Sequence, residues 1–279
     1  MIKLPFSYDG FTYAKTTAYP EFIALLDNSG MVKTQVGVDS DDNPIYAIKT
    51  GSGKHTIMIT SGVHGHHEWR SPHYVVEFMR MLHNNDAPLF GFANWLKSKF
   101  TFYAIPLVTP YAYYADTYVN ANGANVYCNA DINWDTYTSP IYRGSAPWSE
   151  PEARAWRDAA LTQKPVLIVD CHTLGSDNVA SGGRMGDYSD GLFIKSIAQS
   201  VNLSMGRQDI LAQDLQGESD LLSWAHKNVV STLGTKTMAM YQEAQYMQTE
   251  QIQAKIGITS LMVISFWAAK FLETRTVLN

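Results

Sequence analysis

The sequence predicts an α/β fold in which helices cover both faces of a largely parallel sheet. Short apolar runs rich in β-branched residues alternate along the chain with segments that carry apolar residues at helical spacing, and this alternation is typical of parallel sheets. The chain has 279 residues, of which 46% are hydrophobic and 17% charged. That composition can fill one large core and no linker is visible, so we expect a single domain over residues 1–279.

The first half of the chain predicts a helix, two strands joined by a turn, a buried central strand, a second helix and a further strand. The first helix ends at Asn28-Ser29-Gly30, which is a C-cap signal. The turn between the first two strands is rich in Asp and Asn. In chain order the segments are a helix at 19–29, strands at 31–38, 45–50 and 56–60, a helix at 72–82, residues 92–97, and a strand at 100–107.

The second half of the chain opens with a long aperiodic stretch. Residues 108–150 are dense in Tyr, Asn, Asp, Pro and Gly, and a loop of this length is usually functional. Ser149 is predicted to cap the next helix, with Glu150 and Glu152 in its first turn. Residues 173–190 form a second stretch, rich in Gly and Ser. The remaining segments are helices at 151–161, 192–201, 220–229 and 251–273, and strands at 166–169 and 237–241.

Composition and charge argue against several classes of protein. The net charge is −5 and no Lys/Arg cluster is visible, so we expect no nucleic-acid partner. Two cysteines do not make a disulfide framework. The first ten residues carry no apolar signal segment, and the most apolar run, residues 256–269, is shorter than a bilayer needs. We therefore expect a cytoplasmic protein with no membrane contact. Its oligomeric state is left open, with a monomer as the default.

Two strand ends carry residue types that bind metals. The apolar run Ile57–Ile59 is followed by His64, His66, His67 and Glu68, and the strand after Pro165 ends in Asp170-Cys171-His172. Neighbouring parallel strands bring their carboxyl ends to one edge of a sheet, where ligands bind. Two imidazoles and a carboxylate would converge there. Three protein ligands with one open position are typical of a catalytic zinc site.

These residues resemble the metal-binding motifs of the zinc carboxypeptidase family, the carboxypeptidase A-like metallopeptidases. Gly62-Val-His64-Gly-His-His-Glu68-Trp69 is similar to the family's first motif, and Asp170-Cys-His172 matches the strand end that carries its second histidine. The segment from Tyr142 to Glu152 is similar to one that many members carry before a helix. Asn120–Asn125 and Asn133-Trp134-Asp135 resemble the family's substrate-binding stretch. The resemblance spans about residues 15–275, in the right order.

The resemblance implies a mixed, mostly parallel sheet of about eight strands in one domain. It implies one zinc ion per chain, held by His64, Glu68 and His172. Glu243, at the end of the last strand, stands in the place of the catalytic base, which takes a proton from water and passes it to the leaving amine. Asp170 is placed to receive a ring N–H from a ligand histidine.

The chain departs from the family in two ways. The family spacing is His-x-x-Glu, whereas three residues separate His64 from Glu68; either the turn has one extra residue, or His67 replaces the carboxylate as the third ligand. The second departure concerns the arginines that stabilise the oxyanion and hold the substrate carboxylate. Tyr118 stands at the first of these positions. Tyr127-Cys128 or Asp131-Ile132, depending on the gap, stands where the family has its Asn-Arg pair. Arg143 and Arg184 are the candidates for the missing role.

Three functions therefore stand open. The first is a zinc-dependent peptidase that acts on a peptide or peptide-like substrate, and it is the one we expect. The second is a zinc amidohydrolase that removes the acyl group from N-acyl amino acids. The third is a non-catalytic binding module on the same fold, since fold alone does not determine function.

Overall fold

A mixed eight-stranded sheet forms the centre of the described part of the protein. A computed structural model describes residues 18–86, 91–136, 141–174, 183–187, 194–214, 219–245 and 249–278. The strands are β1 (Lys33–Val38), β2 (Pro44–Thr50), β3 (His55–Ser61), β4 (Phe100–Ile105), β5 (Leu167–Leu174), β6 (Gly183–Asp187), β7 (Ile210–Asp214) and β8 (Met238–Gln245). The helices are α1 (Tyr19–Asn28), α2 (Arg70–Asn84), α3 (Phe92–Lys99), α4 (Pro110–Ala115), α5 (Pro151–Gln163), α6 (Ile194–Met205), α7 (Leu221–Asn228) and α8 (Glu250–Leu278).

The strand order β1-β2-β4-β3-β5-β8-β6-β7 places four parallel strands in the middle of the sheet. β4, β3, β5 and β8 pair in parallel, whereas β1, β2 and β6 join the sheet through antiparallel pairs. Parallel strands need cover on both faces, and the central strands are accordingly buried. The predicted α/β class and the mostly parallel sheet of about eight strands are confirmed.

Two apolar clusters fill the space between the sheet and its helices. On β3, Ile57 and Ile59 point into the cluster shared with α2 and α8, and Met58 points into the cluster shared with α5 and α7. Side chains alternate between the faces of a strand, so a fully apolar strand supplies both clusters at once. All three residues are 0% exposed, and this fixes β3 at the centre of the fold.

The long helix α8 packs tightly against α2. A Cβ atom on Gly257 would lie 2.7 Å from the ring of Tyr74, so glycine at this position lets the two helices approach closely. The stretch Gln251–Thr274 is long and apolar enough to cross a membrane, by length and composition only. It is longer than residues 256–269, the apolar run that the sequence analysis considered. Within the fold, 67% of its most apolar window is buried, as in the core helix of a globular protein.

Several element boundaries differ from those predicted. β5 and β8 run on to Leu174 and Gln245, beyond the apolar residues that predicted them. α4 lies within the stretch 108–150 that we predicted to be aperiodic, and the strands β6 and β7 were not predicted. The predicted cap at Ser149 is wrong: Glu150 is the N-cap residue of α5, with an extended backbone, and Ser149 Oγ donates to the Glu150 carboxylate instead.

Candidate metal centre

Three potential metal ligands converge at the carboxyl edge of the sheet. His64 follows β3, Glu68 lies in a short 3-10 turn (His66–Glu68) before α2, and His172 lies on β5. One ligand atom from each residue lies within 4.8 Å of the other two. Among the described residues this is the only group of His, Cys, Asp and Glu that could hold a metal ion. The parallel pairing of β3 with β5 brings the two strand ends together.

The turn that carries two of these ligands has an unusual backbone. Gly65 lies so close to α4 that a Cβ atom there would be 1.8 Å from the carbonyl oxygen of Ala112. The N–H of Gly65 donates to the carbonyl of Thr117 at 2.9 Å. His66 follows with a φ of +53°, which L-residues seldom adopt. It is the only residue between His64 and Glu68 with a positive φ.

Both histidines present the same ring nitrogen to Glu68. His64 Nδ1 lies 3.1 Å from Glu68 Oε1, and His172 Nδ1 lies 3.1 Å from Glu68 Oε2. Their Nε2 atoms point away, to Asn125 Oδ1 at 3.0 Å and to Asp170 Oδ2 at 2.7 Å respectively. Since both outer partners are acceptors, each Nε2 can donate a proton outward. Glu68 is an acceptor as well, so each Nδ1 faces it through either a proton or a bound cation, and a ring protonated on Nε2 alone would have Nδ1 left to bind a metal.

The electrostatics of the cluster also suit a cation. Burial alone would raise the pKa of Glu68, but His172 and His64 lower it to about 2, through charge and hydrogen bonds. Burial would lower the pKa of His172, yet the carboxylates of Glu68 and Asp170 raise it well above the usual value. The surroundings of His172 therefore favour a positive charge. Two imidazole nitrogens and a carboxylate match the ligand types and number of catalytic zinc sites.

A chain of hydrogen bonds holds His172 from behind. Asp170 is 2% exposed, and its second oxygen accepts a hydrogen bond from the hydroxyl of Thr60 at 2.5 Å. The indole N–H of Trp156, on α5, donates to the same hydroxyl at 3.3 Å. These hydrogen bonds thus connect α5, β3 and β5 to the imidazole of His172. Buried carboxylates behind a metal-ligating histidine fix the orientation of its ring.

His67, the alternative ligand, lies outside this cluster. Its ring packs against His66, with the ring centroids 3.8 Å apart. His66 in turn faces Asp116, with 3.6 Å between Nδ1 and the carboxylate oxygen. The geometry therefore favours Glu68 over His67 as the third ligand.

Glu243 lies beside His172 in the sheet. The two residues are register partners on the parallel strands β8 and β5, so their side chains leave the same face. Glu243 is half-buried and is not part of the group that could hold a metal. Its role as proton acceptor stays a prediction. Arg184 is the register partner of Glu243 on β6, but its side chain lies outside the described residues.

Tyr118 and Arg143, the other two predicted substrate-binding residues, differ in their relation to the metal ligands. The Tyr118 ring stands edge-on to His64, with the centroids 5.6 Å apart, and remains 41% exposed. The Arg143 guanidinium is buried and lies 3.9 Å above the ring of Trp134, whose carbonyl accepts a hydrogen bond from it. Tyr118 therefore faces the cluster, whereas Arg143 is engaged by the loop that carries it.

A comparison with protein-family models decides the affiliation of the chain. The model described as zinc carboxypeptidase matches residues 21–256. The chain belongs to the zinc carboxypeptidase family. The family and its fold are those of metallopeptidases, which are hydrolases, and the His64–Glu68–His172 cluster is a group that could bind the family's metal. The resemblance drawn from the motifs is confirmed.

Solved structures of zinc carboxypeptidases share the fold at low sequence identity. Carboxypeptidase A from Helicoverpa armigera is 16% identical, with a TM-score of 0.70 over 90% of this chain and 73% of that one. Metallo-carboxypeptidase from Burkholderia cenocepacia is 14% identical, with a TM-score of 0.67 over 91% and 70%. Bovine thrombin-activatable fibrinolysis inhibitor is 14% identical, with a TM-score of 0.66 over 90% and 95%. Among curated protein sequences, none matches this chain.

Three residues of this carboxypeptidase-like centre have contacts with the ligand histidines or with Asp170 that were not predicted from the sequence. Asn125 holds His64, Thr60 holds Asp170, and the ring of Tyr127 stands edge-on to both ligand histidines, with centroids 5.0 Å from His172 and 6.0 Å from His64. Asn125 and Tyr127 lie in the long loop, and their placement depends on backbone contacts such as Asn125 N–H to the Tyr142 carbonyl. In the sequence, the only indication of these contacts was the high content of Asn and Tyr in the loop.

Proposed function

We propose that this protein is a zinc-dependent hydrolase of peptide bonds, with one zinc ion held by His64, Glu68 and His172. The observation that carries the proposal is the shared orientation of the two imidazoles, each with Nδ1 toward Glu68 and Nε2 toward an outer acceptor. Outer acceptors on Nε2 are the partners that hold a ligand histidine in the orientation that binds a metal through Nδ1. Membership of the zinc carboxypeptidase family supports the same conclusion.

The chain's own residues supply the rest of the chemistry. A zinc ion bound here would polarise the amide carbonyl and lower the pKa of a water molecule. Glu243 would accept a proton from the attacking water and deliver it to the leaving amine nitrogen. Asp170 and Asn125 would keep the two imidazoles in the ligating tautomer. Tyr118 would cover the outer side of His64 and limit the access of bulk water.

The ligand assignment is tested by metal content. Zinc is measured by elemental mass spectrometry on protein purified without chelator, with single alanine variants of His64, Glu68, His172 and His67. We expect about one zinc per wild-type chain, as a three-ligand site implies, a loss in the first three variants and retention in His67→Ala. Retention in Glu68→Ala with loss in His67→Ala would assign the third ligand to His67. Wild type that refuses added zinc would contradict the proposal.

The reaction is tested by Glu243→Gln. This variant keeps the shape of the side chain but removes the proton acceptor, so zinc content should stay at the wild-type level. Hydrolysis of a peptide library, followed by mass spectrometry, should fall by about 100-fold or more, as expected for loss of a general base. Wild type that holds zinc but cleaves neither peptides nor N-acyl amino acids would instead identify a non-catalytic binding module.

A further inference from the structure

We infer that Tyr74 is a positioning residue for the candidate metal centre: its hydroxyl holds Gln242 and thereby keeps Glu243, the proposed proton acceptor, in register with His172. The inference rests on the proposed function and adds to it a residue on the opposite face of the sheet. Tyr74 lies on α2 and is 0% exposed, so it can act on the centre only through other residues.

The Tyr74 hydroxyl joins the two strands that carry Glu243 and His172. It accepts a hydrogen bond from Nε2 of Gln242 and interacts with the thiol of Cys171. Gln242 and Cys171 are register partners on β8 and β5, and they directly precede Glu243 and His172 in the chain. Cys171 packs in the apolar cluster shared with α2 and α8. Because side chains alternate between the faces of a strand, Glu243 and His172 leave the sheet on the other face.

Gln242 depends on Tyr74 for its position. The residue is 1% exposed, and no group among the described residues pairs with its Oε1. Its neighbours on the same face of β8, Met240 and Ala244, belong to the apolar cluster, where an amide without a hydrogen bond is costly. A hydrogen bond is directional, whereas apolar contact is not. The contact with Tyr74 therefore selects one register of β8 in a way that apolar packing cannot.

The ring of Tyr74 is itself fixed by α8. A Cβ atom on Gly257 would lie 2.7 Å from the ring atoms Cδ2, Cε2 and Cζ. The backbone of α8 thus packs against the end of the ring that carries the hydroxyl, and the hydroxyl has a fixed place from which it holds Gln242. The precision matters because misplacing a catalytic group by about 1 Å can lower the rate about 100-fold.

The test replaces the metal by cobalt(II), whose visible absorption changes with pH as the metal-bound water ionises. A carboxylate held near that water shifts the midpoint of the change, and Glu243→Gln supplies the reference shift. We expect Tyr74→Phe, which loses only the hydroxyl, to shift the midpoint in the same direction. Combined with Glu243→Gln, it should add nothing to the reference shift. With a peptide that the wild type cleaves, Tyr74→Phe should lower kcat about tenfold and leave KM unchanged.

Two further variants separate positioning from stability. Tyr113→Phe removes the hydroxyl of another buried tyrosine, which is paired with His73 of α2, and should keep the wild-type midpoint. Tyr74→Phe combined with Gln242→Met removes both polar partners, so it should recover the thermal stability lost in Tyr74→Phe but keep the shifted midpoint. This double variant also carries the test if Tyr74→Phe alone is too unstable to purify. Recovery of both properties would overturn the inference, because the hydrogen bond would then only stabilise the fold.

The outcomes distinguish this inference from the proposed function. A shift in Glu243→Gln together with a wild-type midpoint in Tyr74→Phe would overturn the inference alone. Wild type that takes up no cobalt, or an unshifted midpoint in Glu243→Gln, would contradict the proposed metal site or the proposed role of Glu243, and the inference with it. Wild type that binds cobalt and shows the expected shifts but cleaves no peptide would contradict the hydrolase and support the inference.

Discussion

Replacing Thr60 by valine is expected to weaken zinc binding about tenfold, because its hydroxyl holds the carboxylate behind His172. Valine keeps the β-branched shape and removes the donor. Thr60 is 0% exposed and Asp170 is 2% exposed, so water cannot replace the lost hydrogen bond without rearrangement. The indole N–H of Trp156 loses its acceptor in the same variant.

The magnitude follows from the contacts. A buried hydrogen bond to a charged group contributes about 1.5–3 kcal/mol. Removing an outer partner of a ligand histidine lowers metal affinity about 10- to 100-fold, or about 1.4–2.8 kcal/mol. Asp170 still contacts His172 in Thr60→Val and only its orientation is released, so we expect the lower end of that range. Asp170→Ala removes the partner itself and should reach the upper end.

The assay is a competition for zinc between the protein and a chromophoric chelator at fixed pH. Thr60→Ser retains the hydroxyl and loses only a methyl group, so it should keep most of the wild-type affinity. Thermal unfolding of the metal-free proteins reports any loss of packing separately. Equal zinc affinities for wild type and Thr60→Val would refute the reasoning. So would an equal loss in Thr60→Ser and Thr60→Val, since the hydroxyl would then play no part.

Three further predictions concern stability. Gly65→Ala should lower both zinc content and stability, by about 1–3 kcal/mol in urea unfolding, because its Cβ would clash with the Ala112 carbonyl; a wild-type midpoint would contradict this. His66→Gly should raise stability by up to about 1 kcal/mol in the same assay, because glycine adopts the positive φ without strain, and a fall of that size would contradict it. Burial lowers the pKa of His73 from 6.5 to about 4, so the unfolded state binds a proton more readily than the folded state. The free energy of unfolding should therefore fall by about 3 kcal/mol as the pH falls from 6.5 to 4. In His73→Gln this loss should be smaller, whereas Tyr113→Phe, which removes only the hydrogen-bond partner of His73, should keep it.

The fold was predictable where apolar patterning is continuous. β3 and α8 were predicted because apolar side chains continue along the whole strand and along every turn of the helix. β5 was predicted only over residues 166–169, where its continuous apolar run ends. Its continuation through Asp170 and His172 is strand because it pairs with β8, a contact distant in sequence. The five-residue strand β6 has the sequence Gly-Arg-Met-Gly-Asp, which carries no strand pattern and depends on its neighbours for its conformation.

The candidate centre divides in the same way. His64, Glu68 and His172 were predicted because residue types that bind metals, placed directly after apolar strands, can be recognised in the sequence alone. Asn125 and Tyr127 reach the ligands from an aperiodic loop, and the path of that loop is set by hydrogen bonds that no local pattern encodes. The Thr60 hydroxyl had no predicted role because a threonine inside a strand is ordinarily explained by its β-branched shape.

The positive φ of His66 has a consequence for how distant relatives are recognised. A ligand pair can tolerate an inserted residue when the inserted position turns left-handed and returns the chain to its former direction. Two ligands can then lie at the same distance in space although the number of residues between them differs. Metal turns lengthened in this manner escape a search for fixed gaps. Glycine, asparagine or aspartate at the inserted position would be the sign to look for, since these residues adopt that conformation most readily.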